Sequence, residues 1–264
     1  MMQALWLGAV ALTLAAQPKL LVDAKLDTQS AAAGLEPVFR ALVAAQPQPA
    51  WIGYTVPAVR TYSLGCEFVN RDNGPGAGVM HLEPPDHAVI LFRVEGNAVE
   101  RIRTLSPDCE IDAGGLPFHW IADVQPGQSV ALLAGLVSER QPPGLSAMGA
   151  IAVHSGAEAD AALERFLAVG QPEALRLRAV SLMGSTRGRR GIETLKNLIV
   201  GDPDERVRQR AVSALGGSQE PEAVDLLIEL VKSTKSAEIR KRAMQALQSK
   251  RDPRALAFFE EVLR

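Results

Sequence analysis

Asp202-Pro203-Asp204-Glu205-Arg206-Val207-Arg208-Gln209-Arg210-Ala211-Val212-Ser213-Ala214-Leu215-Gly216 is the stretch from which the rest of the chain can be read. Val207, Ala211, Ala214 and Leu215 fall at i, i+4, i+7 and i+8, one face of an α-helix. The same phrase recurs on either side as Leu175-Arg-Leu-Arg-Ala179 and Ile239-Arg-Lys-Arg-Ala243, and more loosely as Leu145-Ser-Ala-Met-Gly149. The leading apolar residues are 30, 32 and 32 positions apart, and a small residue follows four places later each time. That small residue lets two helices approach closely. A period of this size marks stacked helical hairpins. No hairpin can bury its apolar face alone, so neighbours stack into one continuous core.

Each copy is preceded by a second apolar stripe of helical spacing. These predict helices over about 157–169 (Leu163, Phe166, Leu167), 191–200 (Ile192, Leu195, Leu198, Ile199) and 221–232 (Val224, Leu227, Ile228, Val231). Pro221 suits a first helical turn, where its missing donor matters little. Asp202 before Pro203 is placed to cap the helix carrying Val207, and Gly184 and Gly216 sit where left-handed caps would end theirs. An opening half-repeat is expected over 128–137 and 145–154, and a closing helix over 253–264.

The segment 202–216 follows the pattern D-P-x-x-x-V-R-x-x-A-x-x-A-L-G and so resembles the HEAT family, in particular the short HEAT-like repeats first recognised in phycobilisome-lyase proteins. The resemblance covers about residues 128–264. It implies an α-solenoid, which holds partners more often than it performs chemistry, and it is specific for fold rather than for function. Ser146 stands where later copies have Arg176, Arg208 and Arg240, so the first copy reads as an N-terminal cap.

Stacking would align the arginines into two rows, Arg176, Arg208 and Arg240, and Arg178, Arg210 and Arg242. The functional reading is a basic stripe for an acidic partner. The structural one is pairing within the stack, for which Asp202 is placed against Arg208. Residues 143–264 hold 19 Lys+Arg against 16 Asp+Glu, and no aromatic groups are interleaved with the charge, which argues against nucleic acid. Residues 1–142 hold 9 against 14.

The chain of 264 residues has room for two domains. Ala4–Ala16 is apolar except at Gly8 and Thr13, too short for a bilayer span and suited to a secretory leader, so residues 1–16 are read as a signal peptide. Export to the periplasm or the exterior is the expectation, with no stable membrane span after cleavage. Cys66 and Cys109 then form one disulfide, whereas in a cytosolic chain they would be two buried thiols. Closing a loop of about 43 residues contributes on the order of 3–4 kcal/mol in the chain-entropy estimate. Neither cysteine lies in a C-x-x-C motif, which disfavours redox catalysis.

Residues 17–125 read as a small α+β domain. A helix over 30–45 (Leu35, Phe39, Leu42, Val43), with Ser30 as cap, precedes β-prone runs at 51–56, 62–69, 78–82, 88–94 and 98–105. Glu95-Gly96-Asn97 supplies a hairpin turn. An antiparallel sheet packed on that helix is expected. The overall class is therefore mainly α, a C-terminal α-solenoid over 126–264 with a small α+β domain before it.

Chemistry has few footholds. His81, Glu83, Asp86 and His87 bring two imidazoles and two carboxylates within seven positions, a candidate Zn²⁺ set, but Pro84-Pro85 interrupts it and no known ligand spacing is matched. The alternative is a polar loop. His119, between Phe118 and Trp120, reads as a packed residue more readily than as a catalytic base. There is no Gly-x-Ser-x-Gly elbow and no glycine-lysine phosphate motif. The expected function is a non-enzymatic protein-binding scaffold or adaptor without cofactor. A metal-dependent hydrolase on the 81–87 loop and a bilin-lyase-like protein are the alternatives.

Overall fold

The computed structural model describes residues 21–60, 64, 66, 86–139 and 143–262. The expected leader, His81 and Glu83, and the expected strands at 62–69 and 78–82 fall outside the described residues or almost wholly so. No helix among the described residues is long and apolar enough to cross a membrane.

The amino-terminal half is built on strands β1 (Leu21–Val22), β2 (Lys25–Ser30), β3 (Ala50–Pro57), β4 (His87–Glu95), β5 (Ala98–Leu105), β6 (Ile111–Asp112) and β7 (Pro117–Ala122), with helix α1 (Leu35–Ala44) between β2 and β3. The main sheet has the order β2-β7-β3-β4-β5, and β1 pairs with β6 separately. The expected antiparallel sheet is corrected here. β3–β4 and β4–β5 are antiparallel, but β7 runs parallel to both of its neighbours, so the sheet is mixed. α1 carries the chain from β2 to β3, which lie parallel on either side of β7. The helix expected over 30–45 begins five residues later, because Ser30 belongs to β2. Its hydroxyl donates to Asp123 Oδ2 at 2.6 Å and accepts from Ala32 N at 3.2 Å.

The two faces of the sheet bury different groups. Trp120, Phe118, Val89 and Leu91 face one side with Cys109, and Cys66 packs against that cluster, joined to Cys109 by a disulfide as expected. Gly53 is the reason Trp120 can lie across that side: a Cβ there would stand 2.6 Å from Leu91 Cδ2 and 3.2 Å from the indole. Ile52, Tyr54, Val56, Ile90 and Phe92 face the other side and share one core with Phe39 of α1 and with the helices that follow.

Those helices are α2 (Pro126–Leu136), α3 (Gly144–Val153), α4 (Ala157–Leu167), α5 (Glu173–Thr186), α6 (Gly188–Gly201), α7 (Glu205–Gly217), α8 (Glu222–Ser233), α9 (Ala237–Gln248) and α10 (Pro253–Val262). They form the hairpins α2–α3, α4–α5, α6–α7 and α8–α9, with α10 against α8. The second helices, α3, α5, α7 and α9, pack directly on one another in series, more extensively than the first helices do. The stack is tighter along this layer, here called the inner one. Small residues make that possible. Ala147, Ala179, Ala211 and Ala243, each 32 residues from the next, are fully buried, so the first copy's small residue is Ala147 rather than Gly149, and Leu145 is exposed. Gly184 and Gly216 are not the left-handed caps that their position suggests. They lie inside α5 and α7, where a Cβ on Gly184 would come within 2.9 Å of Ala214 O and one on Gly216 within 3.0 Å of Ala246 Cβ. Their role is close approach between successive repeats.

The sheet covers the first hairpin. α3 packs on β5, and α2 on α1 and β3. Backbone bonds cross between the two halves, Val59 N to Val153 O at 2.9 Å and Ser155 N to Pro57 O at 3.0 Å. Beneath them lies a buried polar chain. His154 Nδ1 stands 2.7 Å from Ala150 O, which needs a donor, so the proton resides on Nδ1 and Nε2 accepts. Ser129 Oγ lies 2.9 Å from Nε2 and 2.8 Å from the Tyr54 hydroxyl. Hydroxyl hydrogens rotate to suit, and every group is satisfied when Tyr54 donates to Ser129 and Ser129 donates to a neutral His154. Burial drives the Tyr54 hydroxyl well above its ordinary range and pushes the His154 imidazole down to about 4.

This depression has a consequence for stability. Unfolded His154 takes up a proton below about pH 6.5. The folded state resists until about pH 4, so between those values the unfolded chain binds more protons and stability falls as pH falls. At about 1.4 kcal/mol per pH unit, the loss totals about 3 kcal/mol and is absent above pH 6.5. Urea unfolding of the parent and His154→Gln from pH 7 to pH 4.5 checks this. The parent should lose the larger share, and parallel curves would contradict the assignment.

Candidate protein-binding face

The two arginine rows have different fates. Arg176 is 5% exposed. Its Nε donates to Leu167 O at 3.0 Å, and its Nη2 pairs with Asp202 Oδ2. This corrects two expectations. Asp202 pairs with the preceding repeat's Arg176 rather than through its carboxylate with Arg208, and the cap of α7 is Asp204, whose Oδ1 accepts from Arg206 N at 2.8 Å. Asp202 Oδ1 accepts instead from Asp204 N at 2.9 Å. Arg208 donates to the Asp202 carbonyl and pairs with Glu205, whose carboxyl it holds below the usual range. Arg240 Nε donates to Val231 O at 3.3 Å, and its Nη2 to Thr234 O.

All three cations of this row thus close the carboxyl-terminal end of the preceding helix, where carbonyls lack intrahelical donors and the dipole favours positive charge. Two further cations close helix ends in the preceding repeat. Buried Arg187 donates from Nη1 to Ala152 O at the end of α3 at 2.9 Å and pairs through Nε with Asp160 at 2.7 Å. Lys250 donates to Ser218 O beyond α7. Burial lowers the Arg187 pKa from its ordinary value, and the Asp160 carboxylate opposes that shift. Arg176, named from the sequence as a partner-binding candidate, is buried inside the stack, and Arg208 and Arg240 are engaged in the same capping.

The second row is different. Arg178 and Arg210 are exposed and Arg242 is half-buried, each on the solvent side of α5, α7 or α9. Arg242 Nε lies 3.1 Å from Glu238 Oε1. Among the described residues, no carboxylate lies within ion-pair distance of Arg178 or Arg210. A depression of about 240 Å³ crosses the three helices, lined by Leu177, Arg206, Gln209, Arg210, Ser213 and Arg242. Arg206 was not singled out from the sequence. Its position four residues before Arg210, on the same helical face, is the signal that could have found it. It pairs with Glu173 at 2.6 Å.

Among the described residues, the other candidates do not converge on a site. Asp86 Oδ1 and His87 Nδ1 lie 2.7 Å apart on the surface, and among the described residues no group of three or more His, Cys, Asp or Glu is placed to hold a metal. His119 packs between elements, its Nε2 3.0 Å from Gln46 Nε2 and its Nδ1 3.4 Å from Asp27 Oδ2. The Gln29 amide and then the His119 imidazole hold the exposed Asp27 carboxyl below its ordinary range. The Tyr54–Ser129–His154 chain has the composition of an acid–base relay, but Tyr54, Ser129 and His154 have no solvent exposure. A larger cleft, about 800 Å³ between α1, the β4–β5 turn and the end of α2, is lined by Phe39, Val43, Val99, Leu132 and Leu136.

HEAT repeats match residues 159–248 and 192–264, two spans offset by about one repeat. Residues 159–264 are HEAT repeats, as the 202–216 pattern implied. No curated protein matches the chain. Among solved structures, human deoxyhypusine hydroxylase in complex with glycerol aligns at 22% identity and TM-score 0.36, over 46% of this chain and 42% of that one. The chain thus spans less than half of the hydroxylase. The complex of CpcE and CpcF of phycocyanin lyase from Nostoc sp. PCC7120 aligns at 17% identity and TM-score 0.38, over 51% of this chain and 88% of that one.

The two rows predict opposite responses to truncation. Arg176→Ala leaves the Asp202 carboxylate buried without its partner and should destabilise by about 3–5 kcal/mol. Arg210→Ala removes an exposed group and should stay within about 0.5 kcal/mol of the parent. Urea denaturation of both variants measures the difference.

Proposed function

We propose that the chain is an exported, non-enzymatic scaffold that binds a protein partner on the inner layer of its HEAT repeats. The observation that carries this reading is the contiguous face of α5, α7 and α9. Its aligned Arg178 and Arg210 have neither a capping duty nor an ion pair, while the row beside them is consumed by the fold. Side chains retained at one register position and left unengaged are available to another molecule. The Cys66–Cys109 disulfide supports an oxidising compartment, since such bridges persist outside the reducing cytosol.

Native extraction of the full chain tests both parts. The protein should be found in a periplasmic or extracellular fraction, with cysteines that react with a thiol reagent only after reduction. A partner should co-purify, be lost with the double variant R178E/R210E and be retained with Lys196→Glu on the outer face of α6. Reduced thiols in a cytosolic fraction would defeat the export reading. Partner capture indifferent to R178E/R210E would defeat the assignment of the face.

A further inference from the structure

The inner face specifies more than a partner. Resting on the scaffold reading, we propose that it takes an extended acidic segment whose carboxylates recur at about every third residue and which crosses α5, α7 and α9 in turn. Arg178, Arg210 and Arg242 occupy one helical position at intervals of 32 residues, so each repeat contributes one guanidinium to the row. Helices packed side by side lie about 8–10 Å apart. An extended chain advances about 3.3 Å per residue, so three residues span one repeat. A carboxylate at every third position therefore meets one guanidinium per repeat. The planar fork of arginine binds carboxylate through two parallel donors, which favours this chemistry over a diffuse positive field.

A helical ligand is the competing geometry. It rises about 1.5 Å per residue and would need one carboxylate about every seven residues. It is also about 10–12 Å across, whereas the depression that joins the three helices measures only about 240 Å³. A single extended strand suits a shallow groove of that size better. Single-stranded nucleic acid is likewise anionic and extended, but such ligands are held by aromatic stacking as well as by charge. Helices α5, α7 and α9 contain no Phe, Tyr or Trp.

The face carries surplus charge that an acidic ligand would neutralise. Arg206 pairs with Glu173, and Arg242 pairs with Glu238 and also feels the more distant Glu205 carboxylate. Arg210 stands at i+4 from Arg206 on the same face, a like-charge spacing that costs a helix a few tenths of a kcal/mol. Lys241 is exposed beside Arg242, and among the described residues it too has no carboxylate at ion-pair distance. The net effect is a line of positive charge along the stacking direction.

Fluorescence anisotropy on the full chain tests this with three labelled probes of equal charge. They are a Ser/Gly peptide with Glu at every third position, the same composition with its Glu residues adjacent, and an oligothymidylate. The expected result is saturable binding of the first peptide, several-fold weaker binding of the second, and at least a tenfold loss for both with R178E/R210E. Lys196→Glu should leave affinity unchanged, and matched thermal unfolding of the variants shows that the stack is intact. Equal affinity for the two peptides, no binding of either, or tighter binding of the oligothymidylate would overturn the inference. Cross-linking of the co-purified partner separates this failure from that of the scaffold reading. A partner seated on α5, α7 and α9 through a helix or an uncharged segment ends this inference alone, whereas a chain without any partner ends the reading beneath it.

Discussion

A helical hairpin has two apolar faces along the stacking direction and can cover neither by itself. Every other feature of this molecule answers that constraint. Successive hairpins cover one another, and the mixed sheet covers the first of them. Ile52, Tyr54 and Val56 of β3 belong to the same core as Met148 and Ile151 of α3, Leu215 of α7 and Phe258 of α10. The sheet is therefore a cap as much as a domain. The hydrogen-bonded chain from Tyr54 through Ser129 to His154 fixes how the cap sits, because a buried polar group left without its partner would be expensive.

Tight packing on one layer governs what is left for function. Alanines and the two intrahelical glycines bring α5, α7 and α9 together, and this fixes their solvent sides as one continuous surface. Each helix end brought into the stack exposes carbonyls that need donors, and Arg176, Arg187, Arg208, Arg240 and Lys250 supply them. Five of the nineteen basic residues in 143–264 are thus taken up by the fold in this way. Arg178 and Arg210 lie outside that need, and among the described residues neither has an ion pair.

The repeat half was legible because its physics is local. The 32-residue period and the helical spacing of Val207, Ala211, Ala214 and Leu215 sufficed to place each helix within a few residues. What sequence could not supply was the third dimension. Gly184 and Gly216 read equally well as caps or as contact points, and only the neighbouring repeat distinguishes the two. Asp202 was assigned to its own repeat, whereas its carboxylate reaches back to Arg176. β2 escaped notice because all six residues of this edge strand are exposed, so it lacks apolar alternation, and the parallel pairing of β7 follows from contacts some ninety residues apart in sequence. Tyr54, Ser129 and His154 are likewise far apart in the chain, and no local pattern joins them.

The central claim is that one apolar core runs unbroken from the sheet into the solenoid and that the first hairpin depends on the cover. Hydrogen exchange on the intact chain and on a fragment beginning at Pro126, read at the amides of α3, measures that dependence directly. The account predicts strong protection of Met148–Val153 in the intact chain, and in the fragment loss of that protection while α7 remains protected. Equal protection of α3 in both would show that the hairpins close on themselves and would contradict it.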